Sequence, residues 1–148
     1  VIQFTVHGIP APAGSKRAFV VKGRAVVTDA SAKSRPWKAL VADAAAQAMN
    51  GAQLLRGPLC LSIVFHVPRP KGHIGKHGVR PSAPRFPAVR PDVDKLSRAV
   101  LDALSGVLYI DDAQIVEKTV AKYYGEPARA EITVRELAET AQQELSAA

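Results

Sequence analysis

The chain has 148 residues and 47% hydrophobic content, the size of one ordinary domain with enough apolar material for a single core. No apolar stretch approaches the roughly 18 residues that cross a bilayer, and Val1 to His7 alternates like a strand rather than running apolar like a signal peptide. Cys60 is the only cysteine, which excludes an internal disulfide and a thiolate metal cluster, so a cytoplasmic, soluble protein without membrane partners is expected. The formal charge is +7, and one window carries it. Between Ala44 and Pro91 there is no acid, while Arg56, Arg69, Lys71, Lys76, Arg80, Arg85 and Arg90 are basic; the remaining 13 basic residues match the 13 acids. A focused basic segment attracts a phosphate backbone, although a solvated basic loop has the same composition.

Residues 1–7 read as a strand, followed by a proline-glycine loop from Gly8 to Gly14. Ala18–Val21 and Ala25–Thr28 flank Lys22-Gly23-Arg24 and predict a hairpin. Ser31 to Ser34 offer helix caps, Pro36 suits a first turn, and Trp37, Leu40, Val41, Ala44, Ala45 and Ala48 recur at helical spacing. Asn50-Gly51 supplies the stop. Leu59, Leu61, Ile63, Phe65 and Val67 alternate with Cys60, Ser62, Val64 and His66, as in a strand with one wholly apolar face.

From Pro68 to Pro91 no period survives, and six prolines with three glycines predict a long irregular loop, part of it mobile without ligand. Helical spacing returns from Val93 through Leu96, Val100, Leu101 and Leu104, with Gly106 as the stop. Ile115–Tyr124 and Arg129–Val134 read as strands joined by Gly125-Glu126-Pro127, and are expected to pair as a hairpin. The polar, alanine-rich segment 138–148 reads as a frayed or disordered tail beyond a domain spanning 1–137. Two helices among several strands predict an α+β domain in which a mixed sheet with hairpins packs against the helices.

The chemistry concentrates in acidic residues set into this basic background. Asp92 and Asp94 follow Pro91, which bars regular helix from entering, so their carboxylates converge only if the helix begins at or after Asp92. The plain alternative is that Asp92 caps the helix and Asp94 sits in its first turn. Asp111-Asp112 follow the helix after a short segment, and the chain is expected to turn back and present a carboxylate near the first pair, unless the two only form a polar turn. Asp102 lies two turns beyond Asp94 and could pair with Arg98. Clustered aspartates on a polyanion-binding surface suit Mg²⁺, which takes oxygen ligands together with water and phosphate. His73 and His77 are a weak zinc candidate, His7 and His66 read as packing or hydrogen-bonding residues, and Cys60 as a buried thiol.

The run from Arg90-Pro91-Asp92-Val93-Asp94-Lys95 through Leu101-Asp102-Ala103-Leu104-Ser105-Gly106-Val107-Leu108-Tyr109 to Asp111-Asp112-Ala113-Gln114 closely resembles the signature of the RusA family of Holliday-junction resolvases, often carried by phages and prophages. The resemblance is strongest over residues 90–124 and looser over the opening strand, the Pro10–Arg17 loop and the 68–91 region. It implies a homodimer that makes paired nicks in four-way DNA junctions with Mg²⁺ or Mn²⁺. Family catalytic and metal-holding carboxylates would fall on Asp92, Asp94 and Asp112, with Asp111 a motif neighbour. The family's lysine one turn into the helix falls on Arg98, and a position often Asn is Lys95, so either could assist the chemistry. Lys16, Arg17, Arg69, Lys71, Lys76, Arg80, Arg85, Arg90 and Lys122 are the expected DNA contacts. Two other readings stay open: a nuclease for other branched DNA, and a non-catalytic DNA-binding module.

Overall fold

The computed structural model describes residues 1–14, 16–29 and 32–138, the side chains at 16–19 and 25–29 excepted. Ile2–His7 (β1), Lys16–Val21 (β2) and Arg24–Asp29 (β3) come first, and β2 and β3 form the expected antiparallel hairpin. Helix α1 spans Ser34–Met49 and ends at Asn50, whose left-handed φ of 48° lets its N–H reach the Ala46 carbonyl. Its N-cap is Lys33, without a side-chain cap, and Ser34 is buried; Ser31 lies outside the described residues. Strand β4 (Leu59–Val67) alternates fully buried Leu59, Leu61, Ile63 and Phe65 with half-buried neighbours. After it come a two-residue hairpin, Ile74–Gly75 (β5) and Gly78–Val79 (β6), then helix α2 (Val93–Leu104), β7 (Ile115–Tyr124) and β8 (Arg129–Glu136). The 138–148 tail, past Ala138, lies outside the described residues.

The main sheet is mixed, in the order β1-β8-β4-β7, with only the β4–β7 pair parallel. β7 and β8 therefore do not form the expected hairpin. β4, the most apolar strand, lies between them, and the 125–128 turn carries the chain across it. The reason is hydrophobic: β4 fits the centre, whereas β7 carries Glu117, Lys118 and Lys122 and suits an edge. Both helices cover one face. Trp37, Val41, Ala45 and Met49 of α1 and Leu96, Ala99, Val100 and Leu104 of α2 join the inward residues of β4 with Ala130, Ile132 and Val134 of β8 in one core. Cys60, expected to be buried, sits half-exposed on the opposite sheet face, because its position in β4 alternates away from the helices.

Candidate active site

Helix α2 opens where the sequence predicts. Asp92 is extended (φ −78°, ψ 159°), Val93 is the first helical residue, and Asp92 Oδ1 accepts the Lys95 N–H at 2.8 Å. Asp94 lies in the first turn; both carboxylates are exposed at the positive end of the helix. The helix therefore begins after Asp92, the condition that convergence of the two carboxylates requires, and Asp92 is at the same time its cap.

Strand β7 and the 8–14 loop brace this helix mouth. In the parallel register Lys118, Val120 and Lys122 sit opposite Leu61, Ile63 and Phe65, so both lysines emerge on the helix-covered face. Lys118 Nζ donates to Ser97 Oγ at 3.2 Å, and Ser97 Oγ donates to the Asp94 carbonyl at 3.1 Å. Lys122 Nζ donates to the carbonyls of Val89 (2.7 Å) and Pro91 (2.8 Å), gripping the chain just before Asp92. From the other side, the Ala13 N–H donates to the Lys95 carbonyl at 3.0 Å. Lys122, expected on the DNA, is thereby engaged with its own backbone. Ser97 and Lys118 were not among the sequence candidates. Their signal was a strand with lysines at 118 and 122 on the same side as Val120, a side that should have been apolar.

The second acidic pair has a different position. Asp111 caps a 3₁₀ turn over Asp112–Gln114, its Oδ1 accepting the Ala113 N–H at 3.1 Å. Gln114 fastens the turn: Oε1 accepts from the N–H of Ile110 (2.9 Å) and Asp111 (3.0 Å), and Nε2 donates to the carbonyls of Leu55 (2.9 Å) and Gly57 (3.0 Å). The Ala113 N–H, and next the carboxyl of Asp112, hold Asp111 below the ordinary carboxylate range. Asp112 is pushed up, first by its hydrogen bond with Asp111, then by desolvation and by the charges of Asp111 and Asp102.

Asp112 therefore senses Asp102, near the C-terminal end of α2, and not the Asp92–Asp94 pair. Ten residues of helix separate Asp92 from Asp102, about 15 Å along the axis. The expectation that one chain gathers Asp92, Asp94 and Asp112 is corrected: among the described residues no three acidic or metal-ligating side chains form a metal-holding group. The cause is direction. β7 runs back along α2, so its start lies at the helix's C-terminal end. Tyr109 pins the connection there, its buried ring donating through the hydroxyl to the Leu101 carbonyl at 3.0 Å. Asp102 pairs with Lys38 at 3.3 Å rather than with Arg98.

Of the basic candidates, Lys71, Lys76, Arg80, Arg85, Arg90, Lys95 and Arg98 are exposed. Arg69 is half-buried: its guanidinium lies 4.4 Å over the Tyr124 ring and donates to the Pro84 carbonyl at 2.7 Å, folding the 68–91 loop onto itself. The backbone of β2 carries Lys16 and Arg17, whose side chains lie outside the described residues. His73 packs edge-on against Tyr124 at 5.5 Å, and His66 lies 3.5 Å from Glu131, so both histidines have structural contacts. No helix is long and apolar enough to cross a membrane among the described residues.

Comparison with known proteins finds a family match for this chain. The family model for endodeoxyribonuclease RusA matches residues 10–135, which includes the braced helix mouth and the Asp111–Gln114 turn. The chain is also 33% identical over 139 residues to the uncharacterized protein YqaN of Bacillus subtilis (strain 168), covering 92% of this chain and 96% of that protein. With a family match across most of its length and the motif residues at the mouth of one helix, this chain belongs to the RusA family of endodeoxyribonucleases.

Proposed function

We propose that this protein is a homodimeric, Mg²⁺- or Mn²⁺-dependent resolvase that hydrolyses paired phosphodiesters in four-way DNA junctions. The observation that carries the proposal is the pair of exposed aspartates at a braced helix mouth. Asp92 alone caps the helix, whereas the Asp94 carboxylate has no hydrogen bond among the described residues, so capping does not explain it. Hard oxygen donors beside a phosphate-attracting basic surface fit Mg²⁺ or Mn²⁺. When bound there, such an ion supplies Lewis-acid activation of water and charge neutralisation at the phosphate.

The chain's own groups would do the rest. Asp92 and Asp94 orient the centre at the N-terminal end of α2. Lys95 and Arg98 stand on the exposed face of the same helix, where their charges stabilise the developing phosphoryl negative charge; Arg98 acts by charge alone, since a guanidinium does not give up its proton at ordinary pH. Lys71, Lys76, Arg80, Arg85 and Arg90 would hold the junction arms through phosphates. Because Asp112 lies at the far end of α2, a centre that uses all three aspartates draws Asp112, with its neighbour Asp111, from the second subunit. Two-fold symmetry would then create two such centres for the two cuts.

A panel of four-way junction, flap and linear duplex, incubated with Mg²⁺ or Mn²⁺, tests the reading. Junction-selective symmetric nicking supports it. Preferential cutting of flaps moves the assignment to a general branched-DNA nuclease, and binding of the junction without cutting in either metal leaves a DNA-binding module.

A further inference from the structure

Beside Asp92 lies a cleft of about 820 Å³ that shares Arg90, Asp92 and Lys95 with the candidate site but whose apolar lining has no role in it. Trp37, only 2% exposed, forms its floor, and Ile9, Pro10, Pro12 and Leu40 make its walls. Ile9 and Leu40 are 65% and 45% exposed, so this apolar lining is open to solvent. Among the described residues, the mouth carries Lys33, Arg90 and Lys95 against one carboxylate, that of Asp92. Gly8 shapes the wall: its φ of 145° suits glycine, and a Cβ there would lie 3.0 Å from Leu40 Cδ1.

Apolar walls, a cationic mouth and a volume within the roughly 300–1,000 Å³ typical of small-ligand pockets match one nucleotide, with the base inside and its phosphates on the three cations. A simple apolar protein segment would not call for that excess of positive charge. We infer that this cleft receives a nucleobase displaced from the stack at the branch point, next to the phosphate presented to Asp92 and Asp94. The inference rests on the proposed junction-cutting activity and deepens it, because a base held one step from the reacting phosphate sets the sequence preference of the cut. Bases at a branch point are cheaper to unstack than those within a duplex, so the junction itself supplies the ligand.

The test places 2-aminopurine at each branch-point position of a synthetic junction, bound to the full chain in EDTA so that the DNA stays whole. One position should brighten several-fold as its base leaves the stack, and the emission of Trp37, the only tryptophan, should shift on the same titration. Leu40→Glu and Ala32→Trp, both at exposed positions, should abolish the brightening and weaken junction binding about tenfold. An abasic nucleotide at the responsive position should weaken wild-type binding equally and add nothing in Leu40→Glu, because the two changes remove the same contact. The inference is overturned if the junction is bound and cut while no branch-point base brightens, or if Leu40→Glu retains the signal. A Trp37 shift without any 2-aminopurine response would overturn it in favour of another occupant. A chain that neither binds nor cuts the junction in Mg²⁺ overturns the resolvase reading, and this inference with it.

Discussion

Mixing two inactive variants discriminates between a centre built within one chain and one shared between two. Carboxylates that serve a common ion, or two ions about 3.5–4 Å apart, must come within a few ångströms of each other. Asp92 lies about 15 Å of helix away from Asp102, the residue whose charge Asp112 senses. Closing that gap within one chain would require unseating Tyr109 and Gln114 from their carbonyl partners. Asp92→Asn and Asp112→Asn should each lower junction nicking by about a hundredfold or more. In a refolded equimolar mixture, half the dimers are mixed. Each mixed dimer pairs the intact Asp92 of one chain with the intact Asp112 of the other, restoring one centre in two. About a quarter of wild-type nicking should therefore return, as single rather than paired cuts, when read on a denaturing gel. A mixture no more active than its components would refute the shared centre.

Lys122→Met removes two charge-assisted hydrogen bonds to Val89 and Pro91 and should cost about 1–3 kcal/mol in urea unfolding; unchanged stability with a salt slope of junction binding reduced by about one would instead make Lys122 a phosphate contact. The acidic pair gives opposite signs. Asp112 is raised, so at neutral pH its ionisation opposes folding, and Asp112→Asn should leave the melting temperature unchanged or higher while abolishing cutting. Asp111 is lowered, so its contribution is present above the unfolded-state range and lost as pH falls through the depressed folded value; Asp111→Asn should therefore lower melting at neutral pH, with the difference fading in acid. Gly125→Ala places a Cβ 2.7 Å from His66 Nδ1 and 3.0 Å from its Cβ, and should destabilise the chain by about 1–3 kcal/mol in the same urea assay.

Local periodicity carried much of the fold. The alternation from Leu59 to Val67 is the central strand, and Leu96, Val100 and Leu104 are the buried stripe of α2, because each pattern is fixed by the side chains of one element. What the residues could not display was pairing between distant elements. Nothing in Arg129–Glu136 states that it skips β7 to join β1 and β4, a choice set by competition for the sheet centre. The same long-range geometry separates Asp112 from Asp92, although the two motifs are close in sequence. Arg69, in the aperiodic 68–91 stretch, and Lys122, in the predicted strand Ile115–Tyr124, read as DNA contacts, yet each is held by carbonyls that only the folded chain brings near. The Asp92 cap, by contrast, was legible, since proline, cap and helix start are neighbours in the chain.

The most direct measurement is cutting of a labelled four-way junction beside a matched duplex, in Mg²⁺ or EDTA, by wild type and Asp94→Asn. The account predicts symmetric nicks in the junction alone, dependent on the metal and lost in the variant while its melting temperature stays near wild type. Junction nicking that persists in Asp94→Asn, or that continues in EDTA, would contradict a metal-dependent centre at the mouth of α2.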